Sequence, residues 1–238
     1  IEKISKNLKN RSLPGKNISS EDKTFKLKAN EIDLARSLLI SQMSDENQIK
    51  KYEICLDLMA LQIKAKLPKN ASDLEKIKSI NDFIFYEMHF RFPPQSLHVK
   101  EIDNYTFLSN VIDNRRGVCL GISVLYLCLA DRLDLTLQSV TPPGHISLRY
   151  IDQNGQETNI ETTARGIDVP TGMYLSIDTK ELETRTKKEV IGLVFINQAS
   201  VFWQQKKYKE AIKLYKKAMG YLEDKNSIKE LLALNYIF

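Results

Sequence analysis

Asn114-Arg115-Arg116-Gly117-Val118-Cys119-Leu120-Gly121 runs into the most apolar stretch of the chain, Val118 to Ala130. That run falls short of the roughly 20 apolar residues a membrane helix needs, so it reads as a helix buried in a protein core. Cys119 then sits in the helix's first turn. There it faces backbone N–H groups without intrahelical acceptors and the positive end of the helix dipole. Both favour thiolate over thiol, and the same amides, the backbone N–H of Cys119 among them, can hold an oxyanion. The competing reading is a small buried filler, the commonest fate of a free cysteine. Cys128 is an internal control, because nine residues at about 100° each set it on the opposite side of the helix. It lies between Leu127 and Leu129 and reads, with Cys55, as core packing.

A thiol nucleophile at neutral pH is naturally served by an imidazole base, which a third polar group must orient. His145 follows Pro142-Pro143-Gly144 at the start of a predicted strand, His145 to Ile151. Glu161 ends the predicted return strand, in Asn159-Ile160-Glu161-Thr162-Thr163. Between them Asp152-Gln153-Asn154-Gly155 has turn chemistry. A loop centred on Gln153 brings Glu161 opposite His145 on one face. A two-residue turn at Asn154-Gly155 instead opposes Glu161 to Leu148 on the other face. Asn159 is the alternative orienter. His89 and His98 flank Phe92-Pro93-Pro94 and read as surface or core, while Arg115 and Arg116 read as caps of the preceding helix.

Around this centre the first half of the chain is helical. Ile32, Ala35, Leu38, Leu39 and Met43 recur at helical spacing, as do Ile49, Tyr52, Cys55, Met59 and Ile63. Ser72-Asp73-Leu74-Glu75 is a capping box that opens a third helix. A shorter helix around Phe107 to Ile112 stops near Gly117. Thr136 to Thr141 is a further predicted strand, so helices precede a small antiparallel sheet, the pattern of an α+β domain. Farther on, Phe195, Ala199, Phe202, Ala211, Tyr215 and Ala218 fall at the small and aromatic positions of one tetratricopeptide (TPR) repeat. Ser227-Ile228-Lys229-Glu230 reads as another capping box. A lone repeat cannot bury its own apolar face, so this helix pair either packs on the domain or belongs to a longer array. The expected division is a basic leader at 1–29, a core domain at 30–186 and a TPR-like helical segment at 187–238.

Composition narrows the function classes. Residues 1–30 hold eight Lys or Arg and three Asp or Glu, an excess equal to the whole chain's formal charge of +5. Without aromatic partners beyond Phe25, these scattered charges read as a solvated, flexible leader rather than a nucleic-acid or membrane-binding arm. The three cysteines form no CxxC pair and the three histidines no HxxxH spacing, so neither a disulfide framework nor a metal site is expected. Free thiols fit a reducing, cytoplasmic setting, and no cofactor is expected.

The order of elements, a cysteine at a helix start, a histidine on a strand and an acid on the next, resembles the transglutaminase-like superfamily. It is closer to the SirB-type branch, in which such a core is joined to tetratricopeptide repeats. The likeness spans roughly residues 30 to 225. Its most specific parts are Phe107-Leu108-Ser109-Asn110-Val111-Ile112-Asp113-Asn114-Arg115-Arg116-Gly117-Val118 and Pro143-Gly144-His145. The resemblance implies a transglutaminase/papain-like core in which Cys119 is the nucleophile, His145 the base and Glu161 the acid, where the superfamily usually has Asp. Tyr105 stands where the branch has an asparagine, which leaves no side-chain oxyanion donor assigned. Many SirB-type members have proline in place of the cysteine and so lack a nucleophile; retention of Cys119 favours activity. The expectation is a thiol-dependent peptidase, deamidase or acyl transferase that meets a protein or peptide through its cleft and its TPR-like helices. The alternative is a non-catalytic interaction module that keeps the fold for its groove.

Overall fold

Every residue from Leu120 to Ala130 is buried, so the apolar run is the axis around which the other elements pack. The structure is a computed structural model that describes residues 2–94, 103–175 and 182–237; His98 lies outside the described residues. Helix α1 (Leu34–Gln42) is capped by Asp33, whose side chain accepts from the Arg36 N–H. Helix α2 (Glu46–Lys66) is capped in the same way by Asp45. Helix α3 (Asp73–Asn81) opens with the expected Ser72–Glu75 capping box and widens into a π-helical turn, Asp82–Glu87, that buries Phe83, Ile84 and Phe85. Helix α4 (Leu108–Asn114) stops a little before Gly117, where Arg115 takes a left-handed conformation with φ of 51°. Helix α5 (Cys119–Arg132) contacts α1, α2, α3 and α4. A helix apolar on every side is stable only when every side is covered, and here it is.

The sheet has four antiparallel strands, β1 (Gln138–Thr141), β2 (Ser147–Ile151), β3 (Glu157–Ile160) and β4 (Glu183–Arg185), in the order β3-β2-β1-β4. Strand β2 packs on α5, which completes the expected α+β arrangement. Strand β4 has only three residues and no hydrophobic alternation, which is why its sequence carries no strand signal.

The leader departs from expectation. It folds into short turns at Lys9–Ser12 and Pro14–Asn17 and a helix at Glu21–Lys26, and it is packed rather than solvated. Leu8 and Ile18 are 2% and 5% exposed. Arg11 pairs with Asp57 and Lys16 with Glu53, both carboxylates on α2. Asp57 also accepts from Arg132 of α5 at 2.8 Å, in a fully dry setting. A buried charge is tolerated only with partners, and the leader's cations supply them. The Phe25 ring packs against Tyr221 at a tilt of 35°, with ring centroids 4.4 Å apart, tying the leader to the far end of the chain.

That far end holds α6 (Lys187–Gln204), α7 (Tyr208–Ala218) and α8 (Asn226–Ile237). Helix α6 begins with a capping box between Thr186 and Glu189. Phe195, Ala199, Ala211, Tyr215 and Ala218 are buried and Phe202 half-buried in the same core cluster. Helix α6 also packs on α1 and on the turn Asp103–Thr106, so the hairpin of α6 and α7 lies against the domain. Helix α8 starts one residue before Ser227, and its Asn226 N–H is held by Asp224; the expected cap by the Ser227 side chain lies outside what the structure describes.

Candidate active site

Three backbone hydrogen bonds fix the segment that delivers Cys119. Arg91 N donates to Arg115 O at 3.0 Å, Gly117 N to Arg91 O at 3.1 Å, and Val118 N to Tyr105 O at 2.9 Å. Tyr105 therefore contributes its carbonyl to this site. Gly121 permits the closeness, since a Cβ there would lie 2.2 Å from the same Tyr105 carbonyl oxygen. The outcome is a helix whose first residue stays half-buried while Leu120 to Ala130 are covered. The first-turn amides, those of Cys119 and Leu120 included, are the ones an α-helix leaves without internal acceptors.

His145 is delivered by a turn. Its N–H donates to Pro142 O at 3.0 Å, with Pro143 and Gly144 between them. Gly144 has φ of +70°, the pattern of a type II turn with proline at its second and glycine at its third position. The strand itself begins two residues later, at Ser147.

The hairpin takes neither expected register but one between them. Leu148 pairs with Ile160 and Ile151 with Glu157. Asp152 Oδ1 accepts from the N–H groups of Asn154 and Gln156, each at 2.8 Å, and Gly155 has φ of +80°. The Asp152 side chain thus turns the loop into Gln153-Asn154-Gly155, one residue longer than an Asn-Gly turn. One more step along this register sets Glu161 across from Ser147, on the face that His145 shares. Asn159, the alternative orienter, is committed elsewhere. Its amide donates to Val169 O at 2.8 Å and to Thr171 Oγ1 at 3.1 Å, and its oxygen accepts from Arg149.

Glu161 Oε2 lies 2.8 Å from His145 Nε2, with the glutamate 6% exposed. Its Oε1 accepts from Thr163 N at 3.0 Å and Thr163 Oγ1 at 2.5 Å, and Tyr174 Oη donates to Oε2 at 2.8 Å. Burial pushes the Glu161 carboxyl up, but the hydrogen bonds from His145, Thr163 and Tyr174 outweigh it and bring it down to about 2. On its other side the ring neighbours Cys119, and the two residues line one cleft. Interaction with the Cys119 thiol first, and with Glu161 second, raises the imidazole from its ordinary 6.5 to about 10. With Nε2 taken by Glu161, Nδ1 is the nitrogen left for the sulfur. Cys119, His145 and Glu161 are therefore brought together, and both neighbours favour the charged form of the imidazole.

Cys119 and His145 open on a cleft of about 630 Å³, which is also lined by Leu120, Ile146, Leu193, Ile196, Asn197 and Arg185. Several of the participants lie outside the residues picked from the sequence. Tyr174 follows the single turn Thr171–Met173 and lies over His145, ring planes 18° apart and centroids 6.3 Å apart. Ser123 Oγ is 3.0 Å from Thr162 Oγ1, a buried contact that joins α5 to the residue after Glu161. A serine four residues after Cys119 in an otherwise apolar helix was a legible signal for that second contact; Tyr174, in an irregular loop, had none.

The other chemistry-bearing residues lie apart from the cleft. Cys128 is fully buried and Cys55 half-buried, and burial raises both thiols. His89 is exposed beside Arg91, and Arg115 and Arg116 are exposed at the end of α4. Among the described residues no cluster of His, Cys, Asp and Glu could hold a metal ion, and no helix is long and apolar enough to cross a membrane.

No curated protein and no solved structure matches this chain. A family model described as the transglutaminase-like superfamily does match, over residues 50–190, a span that contains Cys119, His145, Glu161 and all four strands. The chain belongs to the transglutaminase-like superfamily.

Proposed function

We propose that this protein is a thiol-dependent enzyme that acts on an amide bond of a protein or peptide, with Cys119 as nucleophile, His145 as acid and base, and Glu161 as orienter. The observation that supports the reading is the 2.8 Å pair of His145 Nε2 and Glu161 Oε2 beside Cys119, with Cys119 and His145 lining one cleft. In the attack, the Cys119 sulfur forms a bond to the carbonyl carbon and the carbonyl oxygen takes the electron pair. Its negative charge falls near the free amides of the first turn of α5. Collapse breaks the C–N bond, and His145 gives its proton to the departing amine, which leaves a thioester on Cys119. The neutral imidazole then takes a proton from the incoming nucleophile, and the thioester returns to free Cys119. Water as nucleophile makes the protein a peptidase or deamidase, and an amine makes it an acyl transferase.

Glu161 keeps its carboxylate throughout, as the orienting acid of such triads does. Tyr174 and Thr163 are positioning residues that hold the carboxylate toward Nε2. The hairpin of α6 and α7 and the following α8 read as a TPR-like surface for a protein partner, on the strength of the small and aromatic residues at their contact. The free thiols at Cys55, Cys119 and Cys128 suit a cytoplasmic setting.

The test is labelling with a peptidyl acyloxymethyl ketone, followed by mapping of the modified residue. The expected result is modification at Cys119 alone, lost in His145→Ala. Labelling that is absent, or that reaches Cys55 equally, contradicts the enzyme and leaves the interaction module as the reading.

A further inference from the structure

The cleft has a wall that lies beyond the family match. The match ends at residue 190, whereas Leu193, Ile196 and Asn197 line the cleft from α6. Leu193 and Ile196 are three residues apart and so share one face of the helix. Both are half-buried, while Val190, Ile191, Val194 and Phe195 around them are buried in the core. Pro142 and Ile146 also line the cleft, with Leu120 next to Cys119 in the chain. The charged groups of the cleft already have partners. Arg185 donates to Thr141 Oγ1 at 3.1 Å and pairs with Glu183 and with the buried Glu189, and His145 is held by Glu161. An apolar side chain placed along α6 would gain about 25 cal/mol for each Å² it buries. A charged one would give up hydration against leucine and isoleucine, with no open counter-charge beside it.

We infer that α6 forms the subsite for the substrate side chain next to the attacked carbonyl, that the substrate is a peptide carrying an apolar residue there, and that Leu193 and Ile196 set this specificity. The inference rests on the thiol-enzyme reading above. It makes the C-terminal helical segment part of the reacting site as well as a surface for partners.

The experiment uses three reagents on the full chain: the acyloxymethyl ketones of N-acetyl-leucine and N-acetyl-aspartate, and iodoacetamide, which has no side chain to recognise. Rates at Cys119 are measured by mass spectrometry in the wild type, Ile196→Ala and the volume-conserving Leu193→Met. The leucine reagent should label Cys119 at least ~10-fold faster than the aspartate reagent, as an apolar pocket discriminates. Ile196→Ala should reduce that ratio several-fold, and Leu193→Met should shift it less, while the iodoacetamide rate at Cys119 stays unchanged. Equal rates for the two ketones in the wild type, or a ratio that neither variant alters, overturns the subsite while the enzyme stands. If iodoacetamide does not prefer Cys119 over Cys55, the enzyme reading fails and the subsite falls with it.

Discussion

Cys119 and Cys128 stand on the same helix, nine residues apart, and meet opposite fates. Cys119 is at the first position, half-buried, with the open amides of the first turn beneath it and His145 lining the same cleft. Cys128 lies on the far side in the core, where burial raises its thiol well above the ordinary range even though Arg132 pulls the other way. The residue type is constant, so the difference in chemistry comes from position along the helix and from what covers it. A helix core favours the neutral thiol; a helix start that emerges beside a histidine leaves the sulfur facing a cleft. The carboxylates repeat the lesson, since Asp57 is enclosed by Arg11 and Arg132 whereas Glu161 is shared between a histidine that faces a cleft and three further donors from Thr163 and Tyr174.

The largest expected effect separates the cysteines outright. Cys119→Ala should lower labelling by the peptidyl ketone by ~10³-fold or more, the scale on which loss of a nucleophile is felt. Cys128→Ala should leave labelling intact and instead lower the melting temperature, because it opens a cavity in a covered core. If both substitutions reduce labelling alike, the two positions are not chemically distinct.

Next in size is the His145 pair. His145→Ala should slow labelling by about 10²- to 10⁴-fold, the usual worth of a positioned acid–base group. In an NMR titration the wild-type imidazole should change state near pH 10, and both Cys119→Ala and Glu161→Gln should bring it down toward 6.5. The sign of the linked stability follows. The raised His145 stabilises the fold fully below pH 6.5 and loses that contribution as pH climbs toward 10. The lowered Glu161 stabilises the fold above pH 4.5 and loses its contribution as pH falls toward 2. A wild-type His145 titrating at 6.5 would contradict the grouping of Cys119, His145 and Glu161.

Tyr174→Phe should have a smaller effect, about 10-fold in labelling rate, since it removes one donor to Glu161 and keeps the ring over His145. Its distinguishing signature is the acid limb of the pH–labelling profile, which should move upward as Glu161 loses part of what holds it near 2. An unmoved acid limb, with stability unchanged, would reduce Tyr174 to packing. Smallest is Gly144→Ala. A Cβ there meets nothing within 4 Å, so only the φ of +70° is strained. The cost should be about 1–2 kcal/mol of stability, read as a shift of a few degrees in the melting temperature.

What was legible in the sequence follows the same division between local and distant causes. The Ser72–Glu75 cap, the buried helix from 119 and the contrast between Cys119 and Cys128 rest on neighbours in the chain, and the structure has them where the spacing placed them. The hairpin register was bracketed but missed, because it depends on whether the Asp152 carboxylate folds back over its own loop. The leader's order was illegible, because Arg11 and Lys16 look like solvated cations until Asp57 and Glu53 are brought to them from α2. Tyr174 and the α6 wall were hidden for the same reason. Each is defined by what it touches across the fold rather than by any local pattern.

The central claim is that one of three free thiols is activated by its surroundings. Competitive alkylation of the folded chain with limiting iodoacetamide at mildly acidic pH, read residue by residue in a mass spectrometer, tests it most directly. The account predicts that Cys119 reacts well ahead of Cys55 and Cys128, and that His145→Ala removes the lead. Equal rates at the three cysteines, or a Cys119 rate indifferent to His145, would contradict it.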